Sequence, residues 1–424
     1  MLIEFYGQNF GCFRDEFRLS MLATDIDPNS DRGIVEVKVE GDDEPLRLLR
    51  AVAIYGPNAS GKSTVLRAAG ALRYLISRTS GLRSDAPLGP YEPFAGSEKS
   101  SPVHLGIKAI IDGQVYRYEV QFDKTTFLVE HLAQLRPDTE MILFHREAQN
   151  VSGDWTKDEI FSLISKDFRP NAMLLSLADK LAPALAKNIA VGFRKLLRVT
   201  DVSTVPWTVA PEQATSKRMK EDRVFRGWLL SQLKSADFGV VDVRMEEMTM
   251  TVSSNFIGEI SDEGNDIDKP ETFYRLSLLH RGTGGDFAIP VHRESRGTQR
   301  LLDLAPVLYD LAHDDNPKAV FIDEIHESLH PTLLQALLGH FNCDIPMIEV
   351  CGQLIFATHE TFLMDAEAKN AVLRRDQIYL TEKDTAGAAR LYSVAEFRER
   401  NNLNIRRRYL QGRYGALPAL GSFS

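Results

Sequence analysis

The chain of 424 residues is poor in cysteine and has no long apolar segment. Its three cysteines, Cys12, Cys343 and Cys351, form no C-x-x-C pair, which excludes a zinc ribbon and favours a reducing cytosol. No apolar run approaches the roughly 18 residues that a membrane-spanning helix needs. The first residues include Glu4 and lack the basic start of a signal peptide. We therefore expect a cytoplasmic protein with no membrane partner.

Repeats, sustained heptads and low-complexity tracts are also absent from the sequence. At about 150 residues per domain, the length predicts two to three domains. The net charge of −9 is uneven, because residues 371–424 carry ten Lys and Arg against five Asp and Glu. The net negative charge argues against a protein that coats nucleic acid. The basic cluster Arg406-Arg407-Arg408 is then either a contact for DNA or a partner, or a solvated surface.

Apolar periodicity separates β-rich stretches from helical ones. Residues 1–55 alternate like strands, and residues 103–147 predict a strand meander with a turn at Asp112-Gly113. Residues 155–236 show helical spacing, and residues 239–291 are again strand-like. After Gly297 helices and strands alternate, which predicts a parallel sheet.

The strongest motif is the glycine-rich segment GPNASGKST at residues 56–64, which matches G-x-x-x-x-G-K-[ST] between an apolar strand and a helix. Glycines allow backbone N–H groups to surround a phosphate, and the helix N-terminus adds the positive end of its dipole. Lys62 would reach the β- and γ-phosphates, and the Ser63 hydroxyl would bind Mg²⁺. The alternative is a chance glycine-rich turn. The predicted ATP-binding residues of this loop are Gly56, Asn58, Ser60, Gly61, Lys62, Ser63 and Thr64.

An acidic pair, Asp323-Glu324, follows the apolar run at residues 318–322. Asp323 fits the second Mg²⁺-holding position, beside Ser63. Glu324 is placed to polarise the attacking water as a general base. Two adjacent acids can also be the charges at the start of a helix, but a P-loop needs both functions.

The acidic pair, the segment SLHP at 328–331 and the segment LIFATH at 354–359 together resemble the ABC-type head ATPases, which include the SMC- and RecF-like repair proteins. The resemblance implies an α/β fold, with a mixed P-loop sheet, an antiparallel β lobe and a mostly helical insertion. It also implies that 328–331 is a D-loop and that His359 reads the γ-phosphate, acting with Lys62 and Glu324 in catalysis. By itself, His359 would be an ordinary histidine at a strand end.

The same resemblance predicts a signature motif before the strand that carries the acidic pair. The candidate is ESRGTQRLL at residues 294–302, which departs from the transporter form L-S-G-G-Q. Ser295, Gly297 and Thr298 would present donors to the γ-phosphate of ATP bound on another subunit, which requires at least a head-to-head dimer. The alternative for Ser295 is a helix N-cap with no other role.

Four further segments resemble one bacterial branch, the AAA-family ATPases of abortive-infection and other anti-phage loci such as PARIS-type systems. They are PYEPF at 90–94, YRY at 116–118, LRRDQI at 373–378 and YLQGRYGALP at 409–418. In PARIS-type systems the ATPase works with a Toprim-like nuclease. The resemblance implies a slow ATPase that senses a phage trigger protein and controls a partner effector, a nuclease, through ATP-dependent homo-oligomerisation.

The sequence leaves two other functions open. A RecF/SMC-like repair ATPase would bind DNA directly, although the sequence lacks the heptads of a coiled-coil arm. A transporter subunit is disfavoured by the large insertion and the altered signature. For the ABC-type head we predict three parts. Residues 1–150 contain the P-loop and β lobe, and residues 151–238 form a helical insertion or lid. Residues 239–424 contain the signature, acidic pair, D-loop, His359 and basic tail.

Overall fold

The computed structural model describes residues 1–25, 31–98, 100–200, 211–236, 239–251, 270–313, 317–339, 341–342, 352–365, 373–397 and 404–418. Cys343, Cys351 and parts of the basic C-terminal segment lie outside these ranges. Among the described residues, no helix has the length and apolar character needed to cross a membrane.

The described strands and helices have the following bounds. The strands are β1 Leu2–Gln8, β2 Phe17–Ser20, β3 Ile34–Val37, β4 Leu46–Leu49, β5 Ala51–Tyr55, β6 Val103–Ile111, β7 Gln114–Phe122, β8 Phe127–Leu135, β9 Glu140–Glu147, β10 Asn150–Ser152, β11 Leu197–Thr200, β12 Val240–Thr251, β13 Pro270–His280, β14 Phe287–Pro290, β15 Ala319–Ile322, β16 Gln353–Ala357, β17 Ile378–Lys383 and β18 Ala389–Ser393. The helices are α1 Lys62–Arg78, α2 Glu159–Ile164, α3 Leu174–Leu181, α4 Pro183–Leu196, α5 Pro211–Glu221, α6 Arg223–Ser235, α7 Arg296–His313, α8 Pro331–Gly339 and α9 Ile405–Leu410.

A six-stranded mixed sheet has the order β11-β15-β16-β5-β17-β18. Its first five strands are parallel, and β18 is antiparallel to β17. Strands β5, β15 and β16 are buried along their whole length, as expected for a parallel sheet covered on both faces. Strands from both ends of the chain therefore form one sheet, which confirms the predicted α/β class.

A second, seven-stranded sheet forms the β lobe, in the order β10-β9-β8-β7-β6-β1-β2. All of its pairings are antiparallel, and the predicted turn between β6 and β7 is confirmed, with left-handed φ angles at Asp112 (49°) and Gly113 (76°). Buried Gln353 at the start of β16 joins this lobe to the first sheet. Its side chain accepts from the Leu2 N–H (2.7 Å) and donates to the Leu2 carbonyl (2.9 Å).

Helices α1, α3 and α4 pack against one another beside these sheets, on an apolar cluster that includes Leu66, Leu72 and Phe193. The stretch predicted as mostly helical, 155–236, also contains strand β11, which pairs in parallel with β15. Helical spacing runs directly into this four-residue strand, since α4 ends at Leu196 and β11 begins at Leu197.

The chain divides into two compact units. Unit 1 comprises Met1–Val205, Leu311–His326 and Gln335–Ser424, and unit 2 comprises Pro206–Asp310 and Glu327–Leu334. Within unit 2, the three-stranded antiparallel sheet β12-β13-β14 packs on α5, α6 and the first part of α7 through an apolar cluster around Phe225, Leu276 and Leu301. The domain boundaries at 150 and 238 stay predictions.

Candidate nucleotide site

Three neighbouring strands of unit 1 end at one edge of the mixed sheet. In the order β15-β16-β5 they run in parallel, so the segments that follow them lie side by side. After β5 comes the P-loop, after β15 the pair Asp323-Glu324, and after β16 the pair Thr358-His359. Ligands of open α/β sheets bind outside these carboxyl ends. The topology thus brings together the predicted loop, the acidic pair and His359.

The P-loop backbone adopts conformations that side chains disfavour. Gly56 has a φ of 151°, and a Cβ there would lie 2.4 Å from the carbonyl oxygen of Thr381 on β17. Gly61 has a φ of 119°, and a Cβ would lie 2.9 Å from the Cys12 sulfur. The two glycines therefore let the loop approach its neighbours closely and turn into α1, which begins at Lys62.

Thr381 on β17 anchors the P-loop, and no sequence motif predicts this contact. Its hydroxyl lies 2.5 Å from the Ser60 hydroxyl and donates to the Tyr55 carbonyl (3.2 Å). Ser60 and Thr381 are both buried. The predicted ligand Ser60 thus has a structural partner on β17, while Asn58 is exposed at the tip of the loop.

The Lys62 ammonium folds back over the P-loop and donates to the carbonyls of Gly56 and Pro57, each at 3.0 Å. Burial lowers the pKa of Lys62, while the nearby carboxylates of Glu324 and Asp323 raise it. A cation of this kind is well placed to turn toward phosphate oxygens, because it is already partly desolvated and lies close to the acidic pair.

Ser63 and Asp323 form the candidate metal-binding pair, and their side chains are hydrogen-bonded to each other. Burial raises the pKa of Asp323, and the hydrogen bond from Ser63 acts in the opposite direction. The described ranges contain no cluster of three His, Cys, Asp or Glu residues able to hold a metal by itself. One hydroxyl and one carboxylate fit Mg²⁺, which keeps several waters and takes further ligands from substrate phosphates.

Glu324 has a left-handed backbone, with a φ of 47°, directly after β15. Such a conformation costs about 1–3 kcal/mol for a residue other than glycine and is common at active sites. Its carboxylate is 47% exposed, so water can reach it. The Nε2 atom of His359 lies 3.7 Å from Oε1 of Glu324. Burial, followed by the charge of Lys62, lowers the pKa of His359, while Glu324 and Asp323 act in the opposite direction.

His326 is a second imidazole beside Glu324, and sequence reasoning missed it. Its Nε2 atom lies 3.8 Å from Oε2 of Glu324, whereas His359 approaches Oε1. The two rings meet edge to face, with centroids 5.8 Å apart. The signal in the sequence was its position two residues after Glu324, at the end of the same strand.

Thr64, the last predicted P-loop residue, points away from solvent. It is buried in the first turn of α1, where its hydroxyl accepts from the Cys12 thiol (3.4 Å) and the Arg67 guanidinium (3.3 Å). The aromatic residues nearby, Phe10 and Phe13, are buried in the core. These contacts hold the turn at residues 9–13 against the P-loop.

The candidate signature motif lies in unit 2, at the start of α7. Ser295 caps this helix, because its hydroxyl accepts from the Thr298 N–H (3.1 Å) and lies 2.8 Å from the Thr298 hydroxyl. A Cβ on Gly297 would lie 2.8 Å from the Ser328 carbonyl, so only glycine fits there. The capping role of Ser295 is present, and the role of Ser295, Gly297 and Thr298 toward ATP stays a prediction.

The C-terminal motif at 409–418 packs on β17 and β18. Glu382 on β17 accepts from the Ala416 N–H (2.7 Å), and the Tyr392 hydroxyl donates to the Tyr414 carbonyl (2.8 Å). Upstream of this motif, Arg406 is ion-paired with Asp365 at 3.6 Å. One arginine of the basic cluster is therefore engaged within unit 1.

Comparison with known proteins identifies the family. Residues 51–365 match the family described as "AAA domain, putative AbiEii toxin, Type IV TA system". No curated protein matches the chain. Among solved structures the chain is similar to the SMC head domain from Thermotoga maritima, with 14% identity, a TM-score of 0.40, and coverage of 92% of this chain and 98% of that chain. Because the family match spans more than half of the sequence, this chain belongs to the AAA-domain family of that description.

Proposed function

We propose that this protein binds and hydrolyses ATP with Mg²⁺, and that its nucleotide state controls assembly and a partner effector in anti-phage defence. The observation that carries the ATPase proposal is the shared sheet edge. It brings Lys62, Asp323, Glu324 and His359 around one P-loop. Each side chain there has the chemistry that phosphoryl transfer to water requires.

The residues divide the work of hydrolysis among them. P-loop N–H groups and Lys62 hold the phosphates, and Ser63 and Asp323 hold the metal ion, which neutralises phosphate charge when bound. A carboxylate oxygen of Glu324 accepts the proton of the attacking water, whose oxygen forms the new bond to the γ-phosphorus as the bond to ADP breaks. His359, whose Nε2 atom lies 3.7 Å from Oε1 of Glu324, donates toward the γ-phosphate and senses its presence.

A second subunit would complete the site. The capped N-terminus of α7 presents N–H groups and the Ser295 and Thr298 hydroxyls, which are suitable donors for a phosphate. We infer that Ser295, Gly297 and Thr298 of one copy bind the γ-phosphate held by the P-loop of another. Assembly then depends on ATP, and hydrolysis releases it.

The defence role rests on the family name and on the sequence resemblance. The matching family is described in terms of an AbiEii toxin and a type IV TA system, so a partner protein encoded nearby is expected. In that arrangement the ATPase senses a phage protein and restrains or releases an effector, for which we propose a nuclease.

The ATPase proposal is tested by phosphate release from the purified protein with Mg²⁺ and ATP. Glu324→Gln should lower kcat by about 100-fold or more and keep ATP binding, because only the general base is lost. Lys62→Ala should lose binding as well. Asp138→Asn, at an exposed turn of the β lobe, is the matched control and should behave as wild type. Equal rates in wild type and Glu324→Gln would contradict the proposal.

The defence proposal is tested by phage plaquing on cells that carry the gene with its native neighbours. Protection by wild type that disappears in Glu324→Gln supports a defence ATPase. Absence of protection against a broad phage panel would contradict it and favour the repair ATPase.

Direct DNA binding, the second candidate, predicts an affinity that falls steeply with salt. Exposed Arg407 is the part of the basic cluster that favours it. Replacing Arg406, Arg407 and Arg408 by Ala should then weaken DNA binding and flatten its salt dependence. An unchanged affinity would exclude this cluster as the DNA contact.

A further inference from the structure

Two imidazoles approach the carboxylate of Glu324, one near each oxygen, and only His359 has a role in the proposed hydrolysis. His326 approaches Oε2 at 3.8 Å, and His359 approaches Oε1 at 3.7 Å. At these distances the contacts are electrostatic rather than hydrogen bonds. Because each oxygen of Glu324 has its own imidazole contact, another rotamer of this side chain would lose at least one of the two contacts.

His326 has a second contact, at its other ring nitrogen. Its Nδ1 atom lies 3.1 Å from the hydroxyl of Thr358, a fully buried residue at the end of β16. The same hydroxyl accepts from the Glu360 N–H at 3.1 Å, and the Thr358 N–H donates to the Ile54 carbonyl at 3.1 Å. Thr358 is thus joined to the strand that leads into the P-loop.

The backbone supports the same alignment. The Ile325 N–H donates to the Ala357 carbonyl (3.3 Å), which fixes the segment after β15 to the end of β16. Glu324 and His326 therefore project from a segment whose position is set by Thr358 and its neighbours.

We propose that His326 is a positioning residue for Glu324: Thr358 donates to Nδ1 of His326, which directs the Nε2–H at Oε2 of Glu324 and leaves Oε1 to the attacking water. The inference rests on the proposed ATPase function. A carboxylate oxygen facing Nε2 favours a proton on that nitrogen over a lone pair, and the Thr358 hydroxyl supplies the complementary donor to Nδ1.

The tautomer can be measured without turnover. In nucleotide-free protein labelled with ¹⁵N-histidine, long-range ¹H–¹⁵N spectra should show His326 protonated at Nε2 and unprotonated at Nδ1. The signal is assigned by its loss in His326→Gln. Thr358→Val should shift the signal toward a mixture of tautomers. A dominant Nδ1–H tautomer, or no change in Thr358→Val, would overturn the inference.

Two substitutions separate the two nitrogens of the ring. His326→Gln keeps an N–H donor near the Nε2 position, and His326→Asn keeps a polar group near Nδ1 only. We expect His326→Asn to lower kcat about tenfold at unchanged KM for ATP, because a misplaced base costs rate rather than binding. His326→Gln should retain a rate within about threefold of wild type.

A merely structural histidine would give another pattern. Both variants would then lose activity equally, in step with their melting temperatures, and that result would overturn the proposal. His145→Asn is the matched control, since His145 and His131 also meet edge to face in the β lobe, with centroids 5.4 Å apart. If wild type releases no phosphate, the proposed function fails. The tautomer spectra still show whether His326 directs its Nε2–H at Glu324.

Discussion

Gly56 shows how a single residue links the nucleotide site to the sheet beneath it. The P-loop lies so close to β17 that a Cβ on Gly56 would meet the Thr381 carbonyl at 2.4 Å and its hydroxyl at 2.5 Å. The carbonyl belongs to a strand paired on both sides, so it cannot move aside without disturbing the sheet. The glycine that the proposed phosphate binding requires is therefore also required by packing.

Gly56→Ala should destabilise the protein by at least about 2 kcal/mol, because backbone strain and overpacking both contribute. It should also abolish ATP binding. Gly89→Ala is the control, since Gly89 has open space around its Cβ position and should change stability by less than about 0.5 kcal/mol. Urea unfolding of both variants tests the difference. Equal stability of the two would show that the loop can retreat from β17.

Sequence motifs predict the candidate chemical groups and do not indicate the residues that support them. Lys62, Asp323 and Glu324 are predicted from motifs with a fixed place relative to a strand end, and His359 is predicted from the family resemblance. The sheet order brings those strand ends together. Thr381 was missed because its contact with Ser60 spans 321 positions of the chain. A buried threonine on a strand has no sequence pattern that indicates what lies opposite.

At the level of elements, the N-terminus of helix α7 offers the same groups for capping and for the proposed contact with ATP. The hydroxyl that satisfies the Thr298 N–H is one that a phosphate would also engage. The structure establishes the cap, and a comparison with another cap in unit 2 separates the two roles.

Ser295→Ala should cost about 1 kcal/mol of stability through loss of the N-cap. Asp222→Ala is its matched control, because Asp222 caps α6 by accepting from Val224 and Phe225 N–H groups at 2.9 Å. Thermal unfolding should show similar losses in both. Only Ser295→Ala should slow phosphate release, and equal rates in the two variants would leave Ser295 as a cap alone.

The β lobe contains an ion pair that is inaccessible to solvent, between Glu130 on β8 and Arg146 on β9, and Glu130 also contacts the start of α3. Glu130 accepts from the N–H groups of Leu174 (2.7 Å) and Leu175 (2.9 Å) at the start of α3, and from the Tyr118 hydroxyl (2.7 Å). Arg146 lies 3.6 Å from Glu130 and donates to neighbouring carbonyls. Burial raises the pKa of Glu130 and lowers that of Arg146, so each needs the other to stay charged.

Glu130→Gln should destabilise the protein by about 3–5 kcal/mol, because it leaves the Arg146 charge buried without its partner. Exposed Glu147→Gln on β9 is the control, with an expected change below about 0.5 kcal/mol. The double variant Glu130→Gln with Arg146→Met should lose less than the sum of the single losses. Additive losses in urea unfolding would contradict this account.

For the whole molecule, the main expectation is assembly controlled by nucleotide. Purified Glu324→Gln should increase in mass in the presence of ATP and Mg²⁺, because it binds ATP and does not release it, and it should return to the smaller species with ADP. Light scattering after size-exclusion chromatography measures the change. The same mass in ATP, in ADP and without nucleotide would contradict nucleotide-gated assembly, and Lys62→Ala should not respond to ATP.

The periodicity of apolar residues does not predict strand β11. Its four residues follow α4 without a break, and too short a segment remains for alternation to be visible. Residues Leu197–Thr200 form a strand because their backbone groups pair in parallel with the edge of β15 that no other described strand covers. Such pairing depends on residues more than 100 positions away along the chain.

Local spacing and the order of apolar segments predict the α/β class, the P-loop and the acidic pair, and the family resemblance adds His359. Contacts between distant parts of the chain set the order of the strands, the anchoring of the P-loop by Thr381, the packing of the buried Glu130–Arg146 pair on α3 and the anchoring of His326 by Thr358. The reason is physical: local sequence sets backbone preference, whereas contacts between distant residues form only when burial of the whole core brings them together.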